Sequence, residues 1–255
     1  MLGAIAGDII GSVYEASPIK TKAFPLFQCG SRFTDDTVLT VAIADAILSG
    51  RPYAQAVREF GRRYPDAGYG GTFQRWLHID AAGPYGSWGN GSAMRVSPIG
   101  FAFGSQDAVL EQAHLSAAIT HNHPEGIRGA QATALAVFLA RTGHGKAAIR
   151  DRLVREFGYD LERSVDEVRP GYGFDVSCQG SVPEAIIAFL DSDSLEDAIR
   201  NAVSLGGDSD TMACIAGGIA EAFHGGVPDH IREPAEALLP EDLARVTRSF
   251  RGRFR

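Results

Sequence analysis

Two acidic clusters stand far apart in the chain and share one design. Thr34-Asp35-Asp36-Thr37 opens the run VLTVAIADAI, and Gly207-Asp208-Ser209-Asp210-Thr211 opens MACIAGGIAEAF. Each joins two carboxylates to hydroxyl side chains just before a segment apolar enough to be buried. Carboxylate, hydroxyl and water oxygens suit hard divalent cations such as Mg2+ or Mn2+, whereas thiols and imidazoles suit softer metals. Thr, Ser and Asp are also the preferred helix N-caps, and acids are favoured in a first helical turn. Capping uses one such residue and leaves the second carboxylate unexplained, because carboxylates gathered at a buried place repel unless cations neutralise them. The pattern alone leaves both readings open, and only the metal site uses every residue.

Three other stretches carry groups of interest. In Tyr85-Gly86-Ser87-Trp88-Gly89-Asn90-Gly91-Ser92 the glycines let backbone N–H groups approach an anion, Ser87 or Ser92 adds donors, and Trp88 offers a flat face. A helix-joining turn with a core tryptophan is the alternative, and a Walker A loop is excluded because no Gly-Lys-Ser/Thr follows. His121 and His123, in Thr120-His121-Asn122-His123-Pro124, have no third soft ligand nearby, so zinc is a poor reading and His123 fits a helix start. Gly171-Tyr172-Gly173 suits a mobile rim and a plain turn equally well. Arg95, after the glycine-rich loop, reads as a buried structural partner.

Helices must position these groups, since helical periodicity recurs and alternating apolar and polar runs are almost absent. The periodicity predicts helices over 35–48, 107–120, 124–141, 145–157, 183–191, 195–204, 210–223 and 234–250. Pro124 and Pro183 each fit a first helical turn, and Ser194 with Asp197 resembles a capping box. Gly3, Gly7 and Gly11 form a stripe on a first helix that should lie close against a neighbour and end near Tyr14 and Glu15. The stretches 65–92 and 164–182 read as loops long enough to be functional. The expected fold is all-α, in a single domain over 1–255.

Bulk composition narrows the function classes. With 45% hydrophobic and 22% charged residues the chain can bury a substantial core. A net charge of −7 has the wrong sign for a protein that binds by neutralising many phosphates, so no nucleic-acid signature is present. The basic cluster Arg245, Arg248, Arg251, Arg253 and Arg255 reads as a solvated helix end. No stretch approaches the roughly 20 apolar residues of a membrane span, and Leu2 to Val13 lacks the features of a signal peptide. Cys29, Cys178 and Cys214 are odd in number and unpaired in spacing, which fits a reducing, cytoplasmic setting.

Taken together, TDDT at 34–37, SWGNGSAMR at 87–95, Thr120-His121 and GGDSDT at 206–211 resemble the ADP-ribosylglycohydrolase family, in the family's order. The likeness runs from GAIAGDIIGSVYE at 3–15 to about Phe223. The resemblance implies a compact orthogonal helical bundle and a hydrolase that holds two divalent cations, Mg2+ first and Mn2+ in some members, and releases ADP-ribose from an ADP-ribosylated acceptor, with a protein as the first candidate. It implies metal ligands at Thr34, Asp35, Asp36, Asp208, Asp210 and Thr211, and catalytic roles for Glu15, Asp35 and Asp36. It places Gly86, Ser87, Gly89 and Asn90 along the diphosphate and distal ribose, Trp88 against adenine, His121 on ribose or phosphate, and Tyr172 at the rim. Ala81-Ala82-Gly83-Pro84 lacks the second aromatic of some relatives. The shortness of the chain favours an arginine N-glycoside as substrate, with O-linked serine, O-acetyl or poly-ADP-ribose linkages as alternatives. A non-catalytic binding protein and a phosphohydrolase releasing AMP are the rival classes.

Overall fold

The computed structural model describes residues 1–254. The chain runs through α1 (Leu2–Gly11), α2 (Asp35–Ser49), α3 (Tyr53–Arg63), α4 (Gly71–His78), α5 (Gly91–Met94), α6 (Ser97–Ala102), α7 (Gln106–Ala117) and α8 (Pro124–Arg141). It continues through α9 (Lys146–Phe157), α10 (Val165–Val168), α11 (Cys178–Leu190), α12 (Leu195–Ser204), α13 (Ser209–His224), α14 (Asp229–Ala237) and α15 (Glu241–Arg253). Among the described residues the sole β pairing is an isolated bridge between Gly89 and Ser177, so the fold is all-α. No helix among them is long and apolar enough to cross a membrane.

Helix α13 is the axis of the molecule and packs against α1, α8, α11 and α12. Its residues Ser209 to Ala222 are all buried, as is the whole of α1. A helix surrounded on every side needs no single apolar stripe, which is why both read as apolar throughout. The two lie backbone to backbone. A methyl group added at Gly3, Gly7 or Gly11 would overlap the carbonyl oxygens of Gly217, Ala213 and Ser209 respectively. Outer helices such as α3 and α12 bury one face only; α12, for example, covers Ala198, Ile199, Ala202 and Val203.

Several expected boundaries shift for local reasons. α1 ends at Gly11, ahead of Tyr14 and Glu15, and the chain turns there with Tyr14 N–H donating to Gly11 O at 2.8 Å. α11 begins at Cys178, where Ser177 caps the amide of Gly180 at 3.0 Å, so Pro183 lies inside the helix and not in its first turn. Pro124 does open α8, behind the N-cap His123. The expected helix over 234–250 is two, α14 and α15, separated at Pro240. Ser194 caps Asp197 N–H at 3.1 Å, but the Asp197 carboxylate accepts from Asp193 and leaves the Ser194 amide alone, so the capping box is one residue wide of its usual form. The stretch 65–92 contains α4, whose Phe73, Trp76 and Leu77 are buried.

Candidate active site

Tertiary packing brings the two acidic clusters together at the N-termini of α2 and α13, with α1 between them as a brace. The brace is Asp8, fully buried in an otherwise apolar helix. Its Oδ2 accepts from the backbone amides of Thr34 at 2.9 Å and Thr37 at 3.1 Å, and from the Thr37 hydroxyl. Its Oδ1 accepts from Thr34 Oγ1 at 2.6 Å. Thr34, the N-cap of α2, in turn accepts from Asp36 N–H at 3.3 Å. Across the site Thr211 Oγ1 donates to Asp36 Oδ2 at 3.2 Å, joining the start of α13 to the start of α2. On the other side Asn90 Nδ2 donates to Asp208 Oδ2 at 2.7 Å and to Ser181 Oγ at 3.1 Å.

Two groups of carboxylates converge here. Oxygens of Asp8, Asp36 and Asp210 lie within 4.8 Å of one another, and so do oxygens of Glu15, Asp208 and Asp210. Asp8, Asp36, Asp208 and Asp210 are buried, Asp35 is half-buried and Glu15 is exposed. Among the described residues none of the six pairs with an arginine, lysine or histidine. Burial, followed by the charge of Asp210, holds Asp35, Asp36 and Asp208 well above the usual carboxylate range. The same causes raise Glu15, against the opposing charge of Arg32. Asp8 is pushed up to about 7 by burial and Asp210, in opposition to the donors from Thr34 and Thr37. Two helix N-termini offset only part of this repulsion, each carrying roughly half a positive charge. Asp36 Oδ1 is buried without a hydrogen-bond partner. An orphaned acceptor among unpaired, oxygen-only ligands is the environment that a divalent cation satisfies.

The acids open into a cavity of about 620 Å³. Its wall opposite them is the glycine-rich loop, held on one side by Gly86 N–H to Asn122 Oδ1 at 2.7 Å. On the other side Asn90 N–H donates to Val176 O at 2.8 Å and Cys178 N–H to Trp88 O at 2.9 Å. Gly89 N–H is engaged by Ser87 Oγ at 3.2 Å. The amides of Gly86, Gly89 and Asn90 are therefore already used within the protein, whereas those of Ser87, Trp88, Gly91 and Ser92 have no hydrogen-bond partner among the described residues. Trp88 is 47% exposed at the mouth, which rules out the core reading of its ring. The buried ring of Phe73, from α4, also lines the cavity.

The sequence profile of the ADP-ribosylglycohydrolase family matches residues 1–254. The chain belongs to this family. It is an enzyme of the glycosidase-type hydrolase class that the family comprises. Relatives include the ADP-ribosylhydrolase ARH3 of Mus musculus, 29% identical over 95% of this chain and 88% of its own length. The ADP-ribosylarginine hydrolase Tri1 of Pseudomonas putida is 27% identical over 94% of this chain and 76% of its own. A solved structure titled ADP-ribosylglycohydrolase-related protein complex superposes with a TM-score of 0.69 at 25% identity, covering 97% of this chain and 96% of that one.

Within this glycohydrolase, Glu15, Thr34, Asp35, Asp36, Asp208, Asp210 and Thr211 all line one cavity, together with Gly86, Ser87, Trp88, Gly89, Asn90 and His121. Tyr172 does not line it. Its hydroxyl donates to Gly180 O at 3.0 Å and its ring packs on Gly207, against the second acidic segment. Asn90, expected along the diphosphate and distal ribose, lines the cavity while its Nδ2 donates to Asp208 and Ser181. Asp8 is the residue that sequence reasoning missed. The available signal was a carboxylate in a helix with no polar face, which has to be partnered inside the protein. Phe73 went unseen because α4 falls in a stretch whose glycines and prolines masked its short apolar face.

Proposed function

We propose that this enzyme hydrolyses the bond at the anomeric carbon of the distal ribose and releases ADP-ribose from a modified acceptor, with two divalent cations held among Thr34, Asp35, Asp36, Asp208, Asp210 and Thr211. The observation that carries the reading is the convergence of two unpaired carboxylate groups, sharing Asp210, at the wall of a cavity faced by the glycine-rich loop. Bound divalent cations supply Lewis acidity, lowering the pKa of a coordinated water and orienting ribose hydroxyls. Mg2+ is the first choice and Mn2+ the second, on the all-oxygen donor set.

The chain's own residues divide the remaining work. Glu15 is the acid best suited to move a proton, because it is exposed and lines the cavity, while burial and the charge of Asp210 raise its pKa above the ordinary value. Asp36, wholly enclosed, is suited to holding charge at the site as positive charge develops on the ribose ring. Ser87 and Trp88 offer free amides to the diphosphate, and the exposed Trp88 ring offers a stacking face to adenine. For the acceptor linkage, the first candidate is an arginine N-glycoside, supported by similarity to a relative named an ADP-ribosylarginine hydrolase.

The test is incubation with ADP-ribosyl-arginine and ADP-ribosyl-serine substrates, with Mg2+ or with EDTA, and identification of products by mass spectrometry. Free ADP-ribose released from the arginine substrate in Mg2+ alone is the expected result. Release from serine alone would replace the linkage, and AMP as product would replace the reaction class.

A further inference from the structure

Arg95, Thr120 and His121 form a hydrogen-bond chain that ends at the cavity. Arg95 is fully buried just past α5 and has no carboxylate against it. Its Nη2 donates to Ser116 O at 2.8 Å and to Thr120 Oγ1 at 3.0 Å. A guanidinium has donors only, so Thr120 Oγ1 is the acceptor in that bond and its own proton is left to give. Among the described residues the one acceptor within reach of that proton is His121 Nδ1, at 2.7 Å; an Nδ1–H ring would instead donate to the second lone pair and leave the buried hydroxyl proton unpaired. A ring nitrogen that accepts carries no proton, which in a neutral imidazole puts the proton on Nε2. Nε2 has no hydrogen-bond partner among the described residues and points at the glycine-rich loop. A methyl group at Gly91 would stand 3.2 Å from it, and one at Gly89 3.7 Å.

We infer that Arg95 and Thr120 are positioning residues that lock His121 as the neutral Nε2–H tautomer, so that it presents one hydrogen-bond donor to an oxygen of the ligand lying along the 86–91 loop. The lock makes His121 a fixed donor and removes it from the candidates for general base. Burial and the Arg95 charge hold its pKa well below the usual imidazole range, which keeps the second proton off. This deepens the proposed function and rests on it for the identity of the ligand; the tautomer itself does not.

The experiment has two parts. On the ligand-free protein with 15N-labelled histidines, and with His121→Gln to assign the signal, His121 should show a protonated Nε2 and a bare Nδ1. A protonated Nδ1, or a doubly protonated ring at pH 7, overturns the inference whatever the enzyme acts on. In the second part Thr120→Val should let the ring exchange between tautomers and weaken ADP-ribose binding on the order of 10-fold, the worth of one hydrogen bond, while Thr120→Ser retains both signature and affinity. A folded Thr120→Val protein with the wild-type signature and affinity overturns it as well. ADP as a second probe separates the two sources of the ligand oxygen: an equal loss for both probes assigns it to the diphosphate, and a loss for ADP-ribose alone assigns it to the distal ribose. Absence of ADP-ribose binding in the wild-type protein would overturn the functional reading and leave the tautomer to be decided by the spectrum.

Discussion

Asp8 accepts four hydrogen bonds, three at Oδ2, which are more than its two lone pairs, and one at Oδ1, which keeps a lone pair. It therefore supports the Thr34–Thr37 turn, which carries the proposed ligands, chiefly through Oδ2, and only Oδ1 has a lone pair left to turn toward a cation. Replacing one of its oxygens by an amide nitrogen turns one acceptor into a donor and faces it toward a donor from Thr34 or Thr37. Loss of an outer hydrogen-bond partner of a metal site typically costs about 10–100-fold in metal affinity. Asp8→Asn is expected to weaken Mg2+ binding by that factor, read by titration calorimetry, while Asp36→Asn, which removes an enclosed acid with an orphaned oxygen, should lose more. Equal Mg2+ affinity in wild type and Asp8→Asn would show that the turn holds its shape without the brace.

At the scale of elements, the site exists because α1 and α13 approach closely enough for a helix carrying Asp8 to reach the start of α2. The approach depends on Gly3, Gly7 and Gly11, whose missing side chains admit the carbonyls of α13. Gly7→Ala forces a methyl group onto backbone that cannot move aside as a side chain would. Overpacking of this kind costs roughly 1–3 kcal/mol, and rigid backbone places this case at the upper end. Urea denaturation should show that loss for Gly7→Ala, whereas Gly104→Ala, with open space around it and no positive φ, should stay within about 0.5 kcal/mol of wild type. A stable Gly7→Ala protein would mean that α1 can shift along α13 without penalty.

For the whole molecule, buried acids couple folding to pH and to cations. Asp8 titrates near 7 in the folded chain against an ordinary value of 3.8, so without metal the folded state binds the extra proton. Its contribution to stability is full below about pH 4 and is lost as pH rises through about 7; Asp35, Asp36 and Asp208 act in the same direction. A divalent cation held at the proposed site would reverse this penalty by stabilising the ionised carboxylates, and would bind the folded state selectively. Mg2+ added to EDTA-treated protein should therefore raise Tm more at pH 8 than at pH 5, in a calorimetric or fluorescence melt. An equal rise at both pH values would mean that these carboxylates are already ionised in the metal-free fold.

What the sequence determined by itself was chemistry type and element type. Paired acids with hydroxyls at helix starts, the GxxxGxxxG stripe and Pro124 at the head of α8 are local signals, each read within a turn or two of helix. The all-α class and the family followed from them. Tertiary structure alone decided which groups meet. Asp36 and Thr211 are 175 residues apart, and Asn90 and Asp208 are 118 apart, so no spacing rule reaches across either pair. It also packed Tyr172 on Gly207, because its hydroxyl finds Gly180 O there, and it made α11 start at Cys178, because Ser177 caps it ahead of Pro183. Periodicity reports which face of a helix is apolar; the partner that covers that face, and the acid that a buried helix carries to it, are set by packing over the whole chain.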